Sequence, residues 1–500
     1  MNRILTFLFL SLLWGSALCS EPDSTGVVVR MAQRMLPEGN IFTGIYVNPS
    51  NMLDRYESTL STIDVSYDLQ DADQAMTAGE GKGRKGLNIN LATYVKLNDR
   101  SRAWGSASYS GYRRLGVRGN ETSDYTTVYP YVMADTIGGD MKGEEYAFNG
   151  GYASASGAWR LGVGLSYRAQ IEYRDIDPRP RNISHLINLT AGAGHLVGSN
   201  YVAGVSLSAA RYRQNTTISF YNELGGHKVY HLTGMGTSYY RFDGSRYQAE
   251  FADWRYGASL QLMPLGNGLN VSAGYTHRRL GKSLPSNADI TINELVNSTA
   301  SVEVAYVGCR WGAGVYGVYD RRTGSDNIFG VSSGDIYDLI SKADQWHLKA
   351  WGGGVKGYFT LPVRFVRLSA LPGLEWHSWR ESYVLPQMWR NASSLTASLN
   401  VQMLWLHKRD MVEATIGGFT REALSHSLNA PVSASPYFGE ILRQDFIMMS
   451  GSQWQMRAGA SWTHTLTSHM ALKLGASAAR ASLPGGAART EFTVSLGLVI

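Results

Sequence analysis

Cysteine is nearly absent: the 500 residues contain two, Cys19 and Cys309. If the first leaves with a cleaved leader, no internal disulfide can form and the fold must be held together non-covalently. Beyond the first twenty residues no stretch approaches the roughly 18 consecutive apolar residues that a spanning helix needs. A large barrel escapes such a scan because its lumen residues dilute the average, and the mean hydropathy of -0.19 is compatible with that. Charge of one sign is scarce too: 46 Lys and Arg against 40 Asp and Glu give a net +6. No basic run concentrates it, which excludes a nucleic-acid footprint. Proline is modest at 14, whereas glycine (55) and tyrosine (29) stand out. That balance suits long strands, tight turns and interfacial aromatic rings.

The first residues, "MNRILTFLFLSLLWGSALCS", carry one Arg, an apolar run from Ile4 to Trp14 and a small-residue exit. They read as a secretory signal peptide over 1–19, which predicts an exported chain. Leu18 occupies the position before Cys19 where a lipoprotein signal wants a small residue.

After residue 57 the pattern is period two. "WRLGVGLSYRAQIEYRD" (159–175) places Trp159, Leu161, Val163, Leu165, Tyr167, Ile171 and Tyr173 on one face, with Arg160, Ser166, Arg168, Gln170, Glu172 and Arg174 on the other. Alternation means a strand, and this one is far longer than the usual five or six residues. Similar stretches occur at 62–70, 87–97, 394–404, 453–462 and 491–500. Eight short connections, among them "NDRS" (98–101), "VGSN" (197–200), "HKRD" (407–410) and "TSHM" (467–470), read as hairpin turns. Long polar connections are expected at 115–143, 217–245, 323–344 and 424–452. Short turns on one rim and long loops on the other predict a single-chain antiparallel transmembrane β-barrel over 58–500, of about 18 strands with 16 as the alternative. A phase change at the Gly run of "WHLKAWGGGVKGYF" (346–359) suggests a bulge there. Trp104, Trp159, Tyr201, Trp311, Phe365 and Trp405 fall near short turns, and Tyr112, Tyr173, Tyr275, Tyr319, Trp346, Trp376 and Trp454 near the other ends. Two such belts predict the two interfaces of a membrane.

Residues 20–57 break the pattern. "VVVRMAQRML" (27–36) has a helical stripe ended by Pro37, and "GNIFTGIYVNPSNMLDR" (39–55), with "IFTGIYV" (41–47) as an extended apolar stretch, cannot sit in lipid without strand partners. It must hang below the barrel or fold into the lumen, with Phe42, Tyr46, Asn48 and Pro49 as candidate plug residues.

The predicted lumen carries both signs: Arg160, Arg168, Arg174, Arg255, Arg278, Arg367 and Arg457 against Asp64, Asp68, Glu172, Glu303, Glu375, Glu413 and Glu491. Such a set serves interior ion-pair ladders or a selective polar pore. No nucleophile, base and orienting group converge, so no catalytic residue is assigned and the protein is not expected to be an enzyme. His377 of "WHSW" reads as lumenal with Ser378 opposite, and "SHS" (425–427) as a loop. His227 and His231 are i,i+4 but follow Gly225 and Gly226, so they read as exposed loop histidines rather than metal ligands. Cys309 reads as a buried or inert thiol in a short turn. No cofactor or metal is expected.

In this layout the mature chain resembles the outer-membrane barrel families of Bacteroidota, in particular one known only as an uncharacterised barrel family. "NPSNM" (48–52) reads first as an Asn-Pro turn before the first strand, and is also similar to the Asn-Pro-Ala stretch in the N-terminal hatch of fatty-acid-channel barrels, with Ser50 in place of Ala. The resemblance implies a fold and a location in the outer membrane of a Gram-negative bacterium, with no activity attached. Three functions follow as expectations: a channel or gated pore for small solutes, an accessory barrel that binds a surface lipoprotein or a TonB-dependent transporter, and a lipid-active or proteolytic barrel. The bilayer is the expected partner in all three. Energised import by this chain alone is disfavoured, because 21–57 is far shorter than the plug of a TonB-dependent transporter.

Overall fold

The protein is described here by a computed structural model covering residues 26–222, 226–285, 290–331 and 337–500. The predicted leader lies outside the described residues.

In chain order the strands are β1 (Leu60–Ala72), β2 (Gly83–Asn98), β3 (Ser101–Val117), β4 (Met133–Ala134), β5 (Gly139–Ser156), β6 (Trp159–Tyr173), β7 (Arg179–Val197), β8 (Tyr201–Ser219), β9 (Tyr230–Gly234) and β10 (Thr237–Ser238). They continue with β11 (Gln248–Pro264), β12 (Gly268–Leu284), β13 (Ile290–Val307), β14 (Trp311–Phe329), β15 (Leu339–Val363), β16 (Val366–Tyr383), β17 (Met388–His407), β18 (Asp410–Asn429), β19 (Gln453–Thr467), β20 (Met470–Ser482) and β21 (Ala488–Val499). Among the described residues eighteen of these form one antiparallel sheet, closed where β1 pairs with β21 (Thr62 opposite Val499). Closure leaves no open edge, so every strand satisfies its backbone groups on both sides.

The alternation read in β6 governs the facing of the wall. Leu161 is 60% exposed and Val163 and Leu165 are each 49% exposed on the outside, while Arg160 pairs with Asp54 of the N-terminal segment inside. Outward Trp159, Trp311, Tyr275 and Trp454 occupy the ends of this apolar band. Three aromatic residues assigned to the belts point inward instead. Trp104 lies opposite Tyr94, whose hydroxyl bonds the N-terminal segment. Tyr112 bonds Glu172. Trp346 is fully buried in the interior core.

The eight short turns form one rim. Gly157 and Gly198 adopt φ of 60° and 62° in two of them, a left-handed conformation that glycine takes without a Cβ clash. At the opposite rim the connections 118–138, 226–247 and 430–452 fold inward. They carry a three-stranded sheet of β4, β9 and β10, a turn of helix, Tyr125–Val128, and a longer helix, Pro436–Ser450. Tyr131, Met133, Leu232, Phe242, Phe438 and Leu442 from these connections pack with inward Tyr212, Phe251, Leu295 and Trp346 of the wall. The long-loop mouth is therefore roofed by a hydrophobic core of its own.

That core explains the apparent phase change in β15. The β14–β15 register runs unbroken from Trp346 to Phe359, so the Gly run holds no bulge. Trp346 and Leu348 are apolar yet inward because they meet the roof; the irregularities lie higher, at Gly324/Ser325 and Ile328/Phe329. The same ribbon shortens the loop expected at 323–344, since polar Ser325, Asp326 and Asn327 stay in the ladder and only 330–338 connects the strands.

The N-terminal segment folds within the short-turn mouth. Its first helix, Val27–Arg34, buries Val27, Val28 and Met31 against Leu60, Leu404, Met411 and Ala471. A short helix, Pro37–Asn40, follows. The stretch expected to be extended, 41–47, instead ends in a 3₁₀ turn, Gly44–Val47, and a second one, Pro49–Asp54, follows at the Asn-Pro pair; no strand forms there. Phe42 meets Ala305 and Tyr358, Ile45 meets Val202 and Met263, and the second turn lies along β3 and β5–β8. The segment thus follows the inner wall as a hoop before entering β1.

Candidate functional site

The inner wall of β14–β18 is ordered in cross-strand rows. Tyr316, Gly354, Glu375, Thr396 and Arg421 form one; Val318, Gly352, His377, Ser394 and Ala423 the next. Above them come Asp320, Ala350, Trp379, Ala392 and His426, then Arg322, Leu348, Glu381, Arg390 and Leu428. Small residues at the centre of this patch, Ala350, Gly352, Ala392 and Ser394, leave the wall concave. The roof closes over it with Tyr125, Tyr129, Asp445 and Met449, together with Met76 and Glu80 from the β1–β2 connection. The result is a cavity of about 660 Å³ inside the barrel.

Glu381 ties roof to wall. It is 1% exposed; Oε2 accepts from Arg390 Nε at 2.5 Å, and Oε1 accepts from Tyr129 Oη and Trp346 Nε1, both at 2.6 Å. Asp320 pairs with Arg322 at 2.8 Å, and Glu375 accepts from Tyr316 Oη at 2.5 Å. Arg421 donates to the carbonyl oxygens of Met448 and Gly451, fixing the end of the Pro436–Ser450 helix. On that helix, burial pushes the Asp445 carboxyl up to about 6, against the opposing pull of the Ala78 N–H and of Arg390 and Arg118.

The other charged residues expected in the lumen are mostly paired. Arg168 grips Asp124 at 2.5 Å, Glu172 binds Arg114 at 2.5 Å, and Arg174 pairs with Glu121 at 3.2 Å and with Asp135. The Arg168 and Arg174 pairs tie 118–138 to the wall, whereas Arg114 and Glu172 join two strands of the wall itself, β3 and β6. Burial, reinforced by Asp135, pushes the Glu121 carboxyl well above its usual range, with Arg174 opposing. Arg255 and Arg278 both address Asp253, at 3.0 and 3.8 Å, and Glu303 pairs with Lys356 at 2.7 Å. Arg367 reaches Glu38 at 3.8 Å, Asp64 reaches Lys473 at 3.5 Å, and Glu491 pairs with Arg489 at 3.1 Å. Asp68 accepts from Asn88 at 2.5 Å and Glu413 from Gln402 at 2.8 Å. Arg457 is exposed beside Arg34 in a second cavity of about 460 Å³.

Of the candidate plug residues, Asn48 is the most engaged. It is completely buried; Nδ2 donates to Ala193 O, Val205 O and Gln261 Oε1 at 3.2, 3.1 and 3.1 Å. Oδ1 accepts from Ser50 N at 3.0 Å and caps the second 3₁₀ turn, with Pro49 at its first position. Pro49 and Asn48 sit so close to Gly162 and Gly192 that a methyl group at either glycine would overlap them. Phe42 is buried, and the half-buried Tyr46 receives Arg55 at 4.7 Å over its ring.

His377 lines the main cavity, with Ser378 on the opposite face. Ser425, His426 and Ser427 belong to β18 rather than a loop, because the ladder with β17 continues through Asn429. His231 is fully buried in β9, not exposed, with Nε2 3.0 Å from Arg246 O; burial and nearby Lys282 hold it well below the usual histidine range. His227 is exposed, and among the described residues no cluster with metal-ligating geometry occurs. Cys309 is exposed in its turn rather than buried, since the three-residue connection leaves nothing to cover it. The sequence reading missed Tyr125, Tyr129, Trp379, Glu381, Arg390 and Asp445. The inward run Glu375, His377, Trp379, Glu381 on β16 carried the period-two signal that would have found two of them.

No curated protein matches the chain. Among solved structures, BauA, the ferric preacinetobactin receptor from Acinetobacter baumannii, is 9% identical with a TM-score of 0.41, over 88% of this chain and 80% of that one. The ferric-catecholate import receptor Fiu from E. coli K12 is 9% identical with a TM-score of 0.35, over 87% and 81%. A Pseudomonas aeruginosa FadL homologue is 12% identical with a TM-score of 0.29, over 92% of each chain. Likeness this slight says nothing about what this chain does. Residues 49–500 match DUF6850, a family of unknown function, and the chain belongs to that family.

Proposed function

We propose that this protein is an outer-membrane β-barrel of a Gram-negative bacterium and serves as a gated pore for small solutes. The observation that carries this reading is the roofed cavity of about 660 Å³ within a closed barrel whose outer face is apolar. An outward band of Leu, Val and Trp between aromatic ends fits hydrocarbon, and the paired charges fit a wet lumen. The eighteen-stranded wall is wide enough for an aqueous channel, and the roof and hoop narrow it from its two ends. Passage then requires the roof to move, with Glu381 and Tyr129 at the point of release.

The test is solute flux in proteoliposomes. Replacing 119–137 by a short Gly-Ser turn should accelerate efflux of small neutral sugars well above the intact protein. Equal flux, with both forms folded, would contradict a roof that gates. A second reading, an accessory barrel docked on a surface lipoprotein or a TonB-dependent transporter, is favoured by the β14–β15 ribbon. Its far end displays Leu339 and Ile340 at 58% and 69% exposure and Val331 at 95%. Co-purification from native membranes tests it.

A further inference from the structure

The roofed cavity differs from the other interior spaces in the sign of its charge. Five carboxylates line it, Glu80, Asp320, Glu375, Glu381 and Asp445, against three guanidiniums, Arg322, Arg390 and Arg421. The guanidiniums are already committed: Arg390 to Glu381, Arg322 to Asp320, and Arg421 to two carbonyl oxygens at the end of the Pro436–Ser450 helix. Glu375 is not. It is exposed to the cavity, accepts one hydrogen bond from Tyr316, and among the described residues no cation forms an ion pair with it. By contrast, the cavity of about 370 Å³ across the lumen is lined by Arg255 and Arg278, which share Asp253 as their only carboxylate partner among the described residues.

We propose that the roofed cavity binds a small organic cation, an amine or guanidine on an apolar body, with the Glu375 carboxylate as its counter-ion. The reading rests on the same cavity as the proposed pore and names the class of solute that it takes. Aromatic rings supply the second half of the recognition. Tyr125, Tyr129, Tyr316 and Trp379 line the space. Tyr316 and Trp379 already carry Lys356 and Arg390 over one face. Tyr125 and Tyr129 are therefore the rings left to a ligand cation, which is attracted to such faces most strongly where water is excluded. Leu348, Ala350 and Met449 offer apolar surface for the rest of the ligand. An anion meets the opposite conditions here: an uncompensated carboxylate and ring faces of the wrong polarity. The volume suits a small-molecule site, which commonly spans about 300 to 1,000 Å³.

Three probes that share a phenol ring and differ in charge test the class: tyramine (cation), tyrosol (neutral alcohol) and 4-hydroxyphenylacetate (anion). Binding to the full-length barrel in a neutral maltoside detergent is measured by calorimetry, with folding checked by heat-modifiable mobility. Tyramine should bind about tenfold or more tightly than tyrosol, and the anion most weakly. Glu375→Gln should remove the tyramine preference and leave tyrosol binding unchanged, whereas Glu413→Gln, whose carboxylate lies in a different cavity, should leave both unchanged. An anion bound as well as tyramine, equal affinity for all three, or binding of none would overturn the proposal. Flux of neutral sugars in proteoliposomes is read separately. A pore without cation preference leaves the channel standing and removes the solute class, and cation binding without flux does the reverse.

Discussion

Glu381 offers the sharpest perturbation of the roof. Its carboxylate is 1% exposed and Arg390 is 5% exposed, so neither charge has water to fall back on. Glu381→Ala strands the guanidinium and leaves the Tyr129 hydroxyl and Trp346 indole without their acceptor. Breaking a buried pair costs about 3 to 5 kcal/mol, but the eighteen-stranded ladder does not depend on it. The share that holds the roof is the charge-assisted bond from Tyr129, about 1.5 to 3 kcal/mol, because Tyr129 alone of the three donors belongs to the 118–138 connection. Roof opening should therefore become roughly 10- to 100-fold more frequent. Hydrogen exchange at amides 125–131 reads it directly. Tyr129→Phe, which spares the Glu381–Arg390 pair, should reproduce most of the gain, and the double variant should add little to either. Exchange at wild-type rates in a folded Glu381→Ala barrel would refute the assignment of Glu381 as the tie between roof and wall.

Three further outcomes are expected. Val163→Arg, outward in the apolar band, should destabilise the barrel in bilayers by about 2 to 4 kcal/mol, while Ser166→Arg, which faces the interior cavity of about 370 Å³, should be much milder; equal costs in urea titrations would show the facing to be inverted. Asp445 titrates near 6 in the docked helix, above about 3.9 for a free aspartate. The docked state therefore holds its proton more tightly, and docking is strongest below pH 4 and weakens as pH rises through 6, by at most roughly 2 to 3 kcal/mol. Proteolysis of 436–450 should accelerate over that window, and Asp445→Asn should flatten the profile. Asn48→Asp sets a carboxylate against the oxygens of Ala193, Val205 and Gln261 and should release the hoop at a cost of about 3 kcal/mol or more, seen as faster exchange at amides 44–54 with the barrel intact.

The wall was legible because period-two alternation survives wherever one face is apolar: β6, β17 and β19 needed nothing else. Alternation misled where the interior is itself apolar. Trp104, Tyr112 and Trp346 read as belt residues, yet they point to the hoop, to a buried carboxylate and to the roof core. The site was nearly invisible for a related reason. Tyr129 and Asp445 come from connections whose inward folding depends on packing between segments hundreds of residues apart, and no local pattern reports that. The Gly run of β15 looked like a bulge, whereas it stays in register and its Gly352 helps to hollow the wall. The hoop was legible as a segment that could not face lipid, but its 3₁₀ turns follow from the fit of Asn48 and Pro49 to Gly162 and Gly192, which no reading of one strand at a time would show.

Single-channel conductance in planar bilayers tests the central claim, a barrel pore narrowed from within at both ends. The intact protein should conduct little, in brief openings, and removal of 27–52 from a correctly folded barrel should raise the conductance in discrete steps, more so together with the 119–137 replacement. Large, steady conductance that is identical before and after these deletions would contradict a gated lumen, and no conductance in any form would contradict the pore.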